Sequence, residues 1–142
     1  MKTVYDNIHH FFAAYAECLT TFDSKQLSLF YVAPVTMIND DTVIILTDFV
    51  KMDTSFQAGL NYYKRIGLAK ATADVMGKEP ITNKITKVKI LWHYYNTGNE
   101  LIYTCYHQYL LKHDPAKGWK IAIAINVDEL AKAKEWESKN SN

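Results

Sequence analysis

The sequence predicts an α+β fold in which N-terminal helices pack on a strongly curved, mixed or antiparallel β-sheet. In the first half of the chain, apolar residues recur mainly at helical spacing. The second half holds four long runs of β-forming residues, with the turn sequences NTGN and DPAKG between the later ones. Because long antiparallel hairpins twist and coil, this sheet should curl around the helices.

The first helix is predicted from about Val4 to Phe22. Its apolar residues lie three and four positions apart and form one stripe: Ile8, Phe11, Phe12, Tyr15, Leu19 and Phe22. Ser24 can cap a short second helix, whose apolar residues are Leu27, Leu29 and Phe30. Pro34 is expected to end that helix, because the residue before a proline disfavours helical geometry.

A small hairpin and a third helix follow. The runs VTMIN and TVIIL are typical of two short strands, with a turn at Asn39 to Asp41. Either Asp48 or Asp53 could begin the third helix. Its apolar residues keep helical spacing: Phe49, Met52, Phe56, Leu60 and Tyr63. Gly67 lies just beyond and suits a C-terminal cap.

Four strands and a charged helix complete the chain. The strands are predicted at about 68–76, 85–95, 101–112 and 119–127, and the C-terminal helix at about 128–139. No internal repeat, low-complexity segment or linker interrupts the pattern. We therefore expect residues 1–142 to form a single domain, with a core of about 4–128.

Charge and hydropathy exclude several classes of partner. Lys and Arg number 16 against 15 Asp and Glu, which gives a formal net charge of +1. A nearly neutral chain has no general attraction for nucleic acid or an anionic membrane. No apolar run approaches the roughly 18 residues of a membrane-spanning helix. We expect no nucleic acid partner and no membrane partner.

The N-terminus and the cysteines favour a cytoplasmic protein. Charged and polar residues interrupt the apolar part of the first 22 residues, so we interpret it as a mature helix and not as a signal peptide. The two cysteines, Cys18 and Cys105, fall on different predicted elements and form no close pair of the metal-binding type. Two buried, reduced thiols are typical of the cytoplasm.

Three segments resemble the nuclear transport factor 2-like superfamily. They are FFAAYAECLTTFDSKQLSLFY, NYYKRIG and ILWHYYNTGNELIYTCYHQYLLKHDPAKGWKIA, and the likeness extends over about residues 4–128. This superfamily includes SnoaL-like polyketide cyclases and ketosteroid isomerases. The resemblance implies the cystatin-like cone fold, in which a curved sheet and the helices enclose a cavity. Fold likeness alone does not assign a function.

The resemblance also offers a test for isomerase chemistry. In ketosteroid isomerases a tyrosine on the first helix polarises the substrate carbonyl, and a carboxylate moves the proton. An ungapped alignment places these roles at Tyr15 and Asn39, and an amide cannot accept a proton at neutral pH. Asp40 is adjacent, but a shift by one residue along a strand turns the side chain to the opposite face.

Histidine chemistry is the remaining catalytic alternative. A dehydratase resembling the scytalone enzyme needs a pocket histidine with a carboxylate partner. Only His93 or His107 could serve, and the sequence shows no acidic neighbour for either. If the NTGN turn pairs Tyr95 near Leu101, His93 lies opposite about Tyr103, roughly 13 Å from His107 at ordinary strand rise.

We predict no metal site and no cofactor. The remaining histidines do not form a metal-binding set, since His9 and His10 are adjacent on a helix and point in different directions. Nothing near either cysteine would activate its thiol. The glycines are scattered singly, so no phosphate-binding loop is present.

The last strands have two apolar faces. On one face of the 85–95 strand lie Val88, Ile90, Trp92 and Tyr94, which predict core or pocket. The next strand is bulky on both sides, with Tyr103 and His107 expected on the outer face. Such an outer face favours a homodimer formed through the sheet. The alternative is a monomer whose C-terminal helix, around Trp136, shields that face.

The inner face should decide the function. We expect these residues to line a pocket for a small apolar ligand: Phe12, Tyr15, Met37, Asn39, Phe56, Tyr63, Trp92, Tyr94 and Tyr106. The alternative is a core that these aromatic side chains fill completely. The favoured hypothesis is a SnoaL-like domain that binds an apolar ligand or a protein partner without catalysis. The second is a SnoaL-like lyase, isomerase or cyclase that uses Tyr15 with Asp40 or a strand histidine such as His93.

Overall fold

The computed structural model describes residues 5–140 and begins with two helices. Helix α1 spans Ile8–Leu19, and its N-cap is Asn7, whose side chain accepts the His10 N–H. Val4, the predicted start of this helix, lies outside the described residues. Helix α2 spans Ser24–Ser28. Its N-cap is Asp23 and not Ser24, because the Asp23 carboxylate accepts the first free N–H groups.

A hairpin and a long helix follow. Strand β1 spans Tyr31–Ile38 and strand β2 spans Val43–Leu46. Pro34 therefore lies inside β1, and α2 has already ended when the chain reaches it. Helix α3 spans Phe49–Arg65 and is capped by Asp48, which decides between the two predicted starts. Gly67 has a φ of +86° just beyond the helix, as a C-terminal cap requires.

Four long strands and a last helix complete the described chain. They are β3 at Lys70–Thr82, β4 at Ile85–Tyr95, β5 at Leu101–Asp114, β6 at Gly118–Asn126 and helix α4 at Glu129–Asn140. The sheet order is β2-β1-β6-β5-β4-β3, and every neighbouring pair is antiparallel except β1 with β6. The predicted α+β class with a mixed sheet is confirmed.

A register shift between β4 and β5 decides which residues face inward. Tyr95 pairs with Leu101 as expected, but the irregularity next to it pairs Tyr94 with Tyr103 and His93 with Thr104. Because paired residues share a face, Tyr103 joins the buried side of the sheet with Tyr94. His93 was expected opposite about Tyr103, and its partner is the next residue, Thr104.

One hydrophobic cluster packs the helices on the inner face of the sheet. Phe11 and Phe12 of α1 and Met52 and Leu60 of α3 are among its fully buried side chains. Their partners from the sheet include Trp92, which is 1% exposed. None of the helices within residues 5–140 is long and apolar enough to cross a membrane.

Candidate functional site

A cavity of about 220 Å³ lies between the inner sheet face and helices α1 to α3. Most of its wall is aromatic or aliphatic: Tyr15, Leu19, Leu27, Tyr31, Met37, Phe56, Leu60, Trp92, Tyr94, Tyr109 and Ala124. Ser55, Tyr63 and His107 add polar groups, and Gly59 completes the wall. The cone is therefore not completely filled by its aromatic side chains.

Hydroxyl groups in the cavity wall are paired with one another. The hydroxyls of Tyr15 and Tyr31 form a buried hydrogen bond, and the Trp92 indole N–H donates to the Tyr109 hydroxyl at 3.0 Å. Burial raises the pKa of Tyr15, Tyr31 and Tyr109 above the usual tyrosine range. These phenols stay neutral, and Tyr109 is the acceptor of its bond with Trp92, so that bond does not use the Tyr109 hydroxyl proton.

The polar end of the site is organised by Glu129, the first residue of α4. Its carboxylate accepts hydrogen bonds from the hydroxyls of Tyr63 and Tyr103, each at 2.7 Å, and from His107 Nε2 at 2.9 Å. The side chain of Asn126 accepts the Glu129 backbone N–H at 2.9 Å and so fixes the start of the helix. We call Glu129, Tyr63, Tyr103 and His107 the carboxylate cluster.

Electrostatics keep this carboxylate charged. Burial alone would raise the pKa of Glu129, but the hydrogen bond and electrostatic attraction of His107, together with the two tyrosine hydroxyls, lower it below the usual glutamate value. Burial and the nearby negative charge in turn raise the pKa of Tyr63 and Tyr103. The cluster is thus an ionised acid held by neutral phenol donors and a histidine.

Three potential metal ligands meet at the same place. The donor atoms of Cys105, His107 and Glu129 lie within 4.8 Å of one another. Burial and the Glu129 charge raise the pKa of the Cys105 thiol. Both Glu129 oxygens already accept hydrogen bonds from neighbouring side chains. The arrangement suits a hydrogen-bonded acid better than a metal ion.

The structure brings six of the nine predicted pocket residues together in the cavity wall. They are Tyr15, Met37, Phe56, Tyr63, Trp92 and Tyr94. Phe12 lies behind this wall, where its ring contacts the ring of Tyr109 at 5.1 Å between centroids. Asn39 is in the β1–β2 turn, and its side chain accepts the Asp41 N–H. Tyr106 lies on the outer sheet face, with the Lys89 ammonium 4.7 Å from its ring centre.

The predicted catalytic candidates are dispersed. Tyr15 lines the cavity, whereas Asp40 is exposed in the hairpin turn. His93 is on the outer sheet face, and its Nε2 lies 2.8 Å from the Asp74 carboxylate. The expectation that neither strand histidine has an acidic neighbour is therefore wrong for His93 and also for His107.

The sequence interpretation missed the carboxylate cluster itself. It placed Tyr103 and His107 on the outer face, but both point inward to Glu129. The one local signal is the spacing of Asn126 and Glu129, an asparagine followed three positions later by glutamate as in a capping box, which marks a helix start. That pattern predicts the helix but not the burial of its first side chain.

Comparisons with known structures support the cone fold. An NTF-2 like protein of unknown function from Shewanella oneidensis MR-1 superposes with a TM-score of 0.66 at 11% identity, over 84% of this chain and 94% of that one. Aln2 from a Streptomyces species gives a TM-score of 0.63 at 15% identity, over 88% and 90%. At these identities the likeness shows the fold alone.

A ketosteroid isomerase-like protein from Erwinia carotovora atroseptica SCRI1043 is also similar. Its TM-score is 0.55 at 8% identity, over 87% of this chain and 97% of that one. No curated protein sequence matches this chain. The sequence profile of a family described as NTF2-like protein (DUF6841) matches residues 6–129. The match covers most of the chain, and this protein therefore belongs to that NTF2-like family.

Proposed function

We propose that this protein binds a small, mainly apolar, uncharged molecule in its cone cavity without catalysis. The observation that carries the proposal is an aromatic cavity of about 220 Å³ with polar groups concentrated near Tyr63 and His107. An apolar protein cavity of about 150 Å³ is enough to hold benzene, so a substituted benzene ring is of the right size. Because Glu129 is buried and ionised, an anionic ligand would be repelled.

Calorimetric titration with acetophenone tests this proposal. Acetophenone combines an aromatic ring with one carbonyl acceptor, and the cavity wall offers surfaces for both. Ala124 is 4% exposed and lines the cavity, so Ala124→Leu should fill part of the space. We expect the affinity to fall at least tenfold, which corresponds to about 1.4 kcal/mol.

A matched variant distinguishes cavity filling from a general effect. Ala58 lies on the exposed side of α3 and does not line the cavity, so Ala58→Leu should keep the affinity within twofold of the unmodified protein. Equal losses in both variants, or binding that survives Ala124→Leu, would remove the cavity as the binding site.

A second candidate function is proton transfer in the same cavity. The specific observation in its favour is His107, which lines the cavity and has Glu129 at 2.9 Å from its Nε2. Histidine with a carboxylate partner is a common general base, and the other ring nitrogen would remain free to accept a proton. This arrangement fits a lyase, isomerase or cyclase of the SnoaL-like type, in which Tyr15 would contribute a hydroxyl.

Deuterium exchange separates the two candidates. A general base in contact with bound acetophenone should exchange the ketone methyl protons for deuterium in D₂O faster than buffer does. His107→Asn should abolish this increase in the exchange rate. His93→Asn is the matched control, because His93 also contacts a carboxylate but lies outside the cone. If the unmodified protein binds acetophenone and gives no exchange above buffer, the binding function stands alone.

We further propose a homodimer formed through the outer sheet face. Apolar residues on that face remain partly accessible in the single chain, namely Leu91, Tyr106, Leu110, Ile123 and Ile125. Sedimentation should give about twice 16.4 kDa. Ile123→Glu should produce monomers, whereas Ile81→Glu, at a 56% exposed position near the end of β3, should not. A monomeric unmodified protein would refute this assembly.

The two cysteine side chains favour a reducing compartment. Cys18 and Cys105 are both buried and free of disulfide bonds. On that basis we propose a cytoplasmic location.

A further inference from the structure

A second and larger space adjoins the cavity. A groove of about 710 Å³ lies between α3 and α4, and we call it the α3–α4 groove. Its wall consists of Gly59, Tyr62, Tyr63, Asn126, Glu129, Leu130, Ala133, Lys134, Glu137 and Ser138. Gly59 and Tyr63 also line the cavity. The two spaces therefore meet along one short stretch of α3.

Gly59 is the residue that leaves this junction open. It lies in the middle of α3, where glycine is the least favourable residue apart from proline. Its backbone does not need glycine, because no positive φ is present, and a Cβ at this position would meet nothing within 4 Å. Neither local geometry nor packing accounts for the missing side chain. The space beside Gly59 is open, and Gly59 lines both the cavity and the groove.

The groove has the chemistry of a ligand compartment. Leu130 is 49% exposed on its wall, and Ala133 lies one turn further along α4. Tyr62 and Tyr63 add two aromatic side chains from α3 to the same wall.

The size of the cavity supports the same interpretation. Typical small-molecule sites have about 300–1,000 Å³, and a cavity of about 220 Å³ is below that range. With the groove included, the site falls within it. A ligand confined to the cavity would leave the Gly59 opening and the groove unused.

We infer that the cavity and the α3–α4 groove form one continuous site for an elongated apolar molecule. A compact, uncharged head occupies the cavity, and an alkyl or similar tail passes Gly59 into the groove. This inference rests on the proposed ligand-binding function and specifies the class of ligand.

A series of phenyl alkyl ketones tests the inference by calorimetry. Acetophenone, butyrophenone, hexanophenone and octanophenone share one head and differ only in tail length. Each methylene buried in the groove should improve the affinity up to about fourfold, the equivalent of about 0.8 kcal/mol. We expect this increase in the unmodified protein.

Two blocking variants should remove the dependence on tail length. Gly59→Leu closes the opening, and Ala133→Phe fills the groove from α4 without touching the cavity wall. Ala133→Phe keeps the test decisive if Gly59→Leu fails to fold. Both should bind the longer ketones no more tightly than butyrophenone. Ala131→Phe, an exposed position on α4 that does not line the groove, should retain the full increase.

The outcomes distinguish this inference from the proposed function. If acetophenone binds and longer tails add no affinity, the proposed function stands and the continuous site is refuted. The same conclusion follows if Ala133→Phe leaves the increase with tail length intact. If no ketone binds the unmodified protein, the proposed function is refuted and the inference with it.

Discussion

Replacing Glu129 by alanine should destabilise this protein more than most single substitutions do. Glu129 is 7% exposed, and its carboxylate accepts three side-chain hydrogen bonds, from Tyr63, Tyr103 and His107. Removing one partner from a buried, charged network leaves the other polar groups unsatisfied, which costs about 3–5 kcal/mol. The same change also removes the hydrogen bonds that join the start of α4 to the sheet and to α3, while the Arg65–Glu137 pair and the packing of Trp136 remain.

The glutamine variant isolates the contribution of the charge. Glu129→Gln keeps an acceptor oxygen in place, but hydrogen bonds to a neutral acceptor are weaker than those to a carboxylate. We therefore expect the free energy of unfolding to fall by about 1–2 kcal/mol. Folding lowers the pKa of Glu129 below the ordinary glutamate pKa, near 4.3. The stability that its charge contributes is therefore fully present when the pH is above that ordinary pKa. It is lost as the pH falls through the pKa of the folded state. The difference between the unmodified protein and Glu129→Gln should therefore be constant above about pH 5 and shrink below it.

Urea unfolding from pH 7 to pH 3 measures both effects. Glu135→Gln is the matched control on the same helix, because Glu135 is exposed and its pair with Lys139 should contribute less than about 0.5 kcal/mol. A loss below about 1 kcal/mol for Glu129→Ala, with an unchanged dependence on urea, would refute the argument that the carboxylate cluster is a buried, satisfied network.

Three further substitutions test the packing by thermal or urea unfolding. Gly118→Ala should destabilise by more than about 1 kcal/mol, because Gly118 has a φ of +73° and an added Cβ would lie 2.5 Å from the Tyr5 carbonyl oxygen. An unchanged melt would contradict that close approach. Gly59→Ala should instead stabilise by about 0.5–1 kcal/mol, since it improves helix propensity in open space. Tyr109→Phe should cost about 1–3 kcal/mol because it leaves the Trp92 indole N–H unpaired, and this loss should largely disappear in a Trp92→Phe background.

Much of the fold could be predicted because its signals are local. The helical stripe of α1, the cap at Asp48 and the glycine at position 67 each depend on neighbouring residues only. The alternation of Val88, Ile90, Trp92 and Tyr94 likewise marks the buried face of β4 without knowledge of its partner. Local patterns were less informative about strand ends, and β3 extends six residues beyond its predicted end at position 76, to Thr82.

The candidate site depended on information that local patterns do not contain. The irregularity between Tyr94 and Tyr95 shifts the β4–β5 register by one residue. A shift of one position exchanges the two faces of a strand, which explains why Tyr106 was expected inside and His107 outside. Glu129 on α4 meets Tyr63 on α3 across 66 positions of the chain, and only the tertiary fold brings them together.

The most direct test of ligand binding in the cone is a nuclear magnetic resonance titration of the three tryptophan indole N–H signals with acetophenone. Trp92 lines the cavity, whereas the Trp119 indole donates to the Asp6 carbonyl elsewhere and Trp136 lies on α4 outside the cavity wall. The cavity site predicts a saturable shift of the Trp92 signal, with the other two unchanged. A shift of Trp119 or Trp136 while Trp92 stays constant would contradict it.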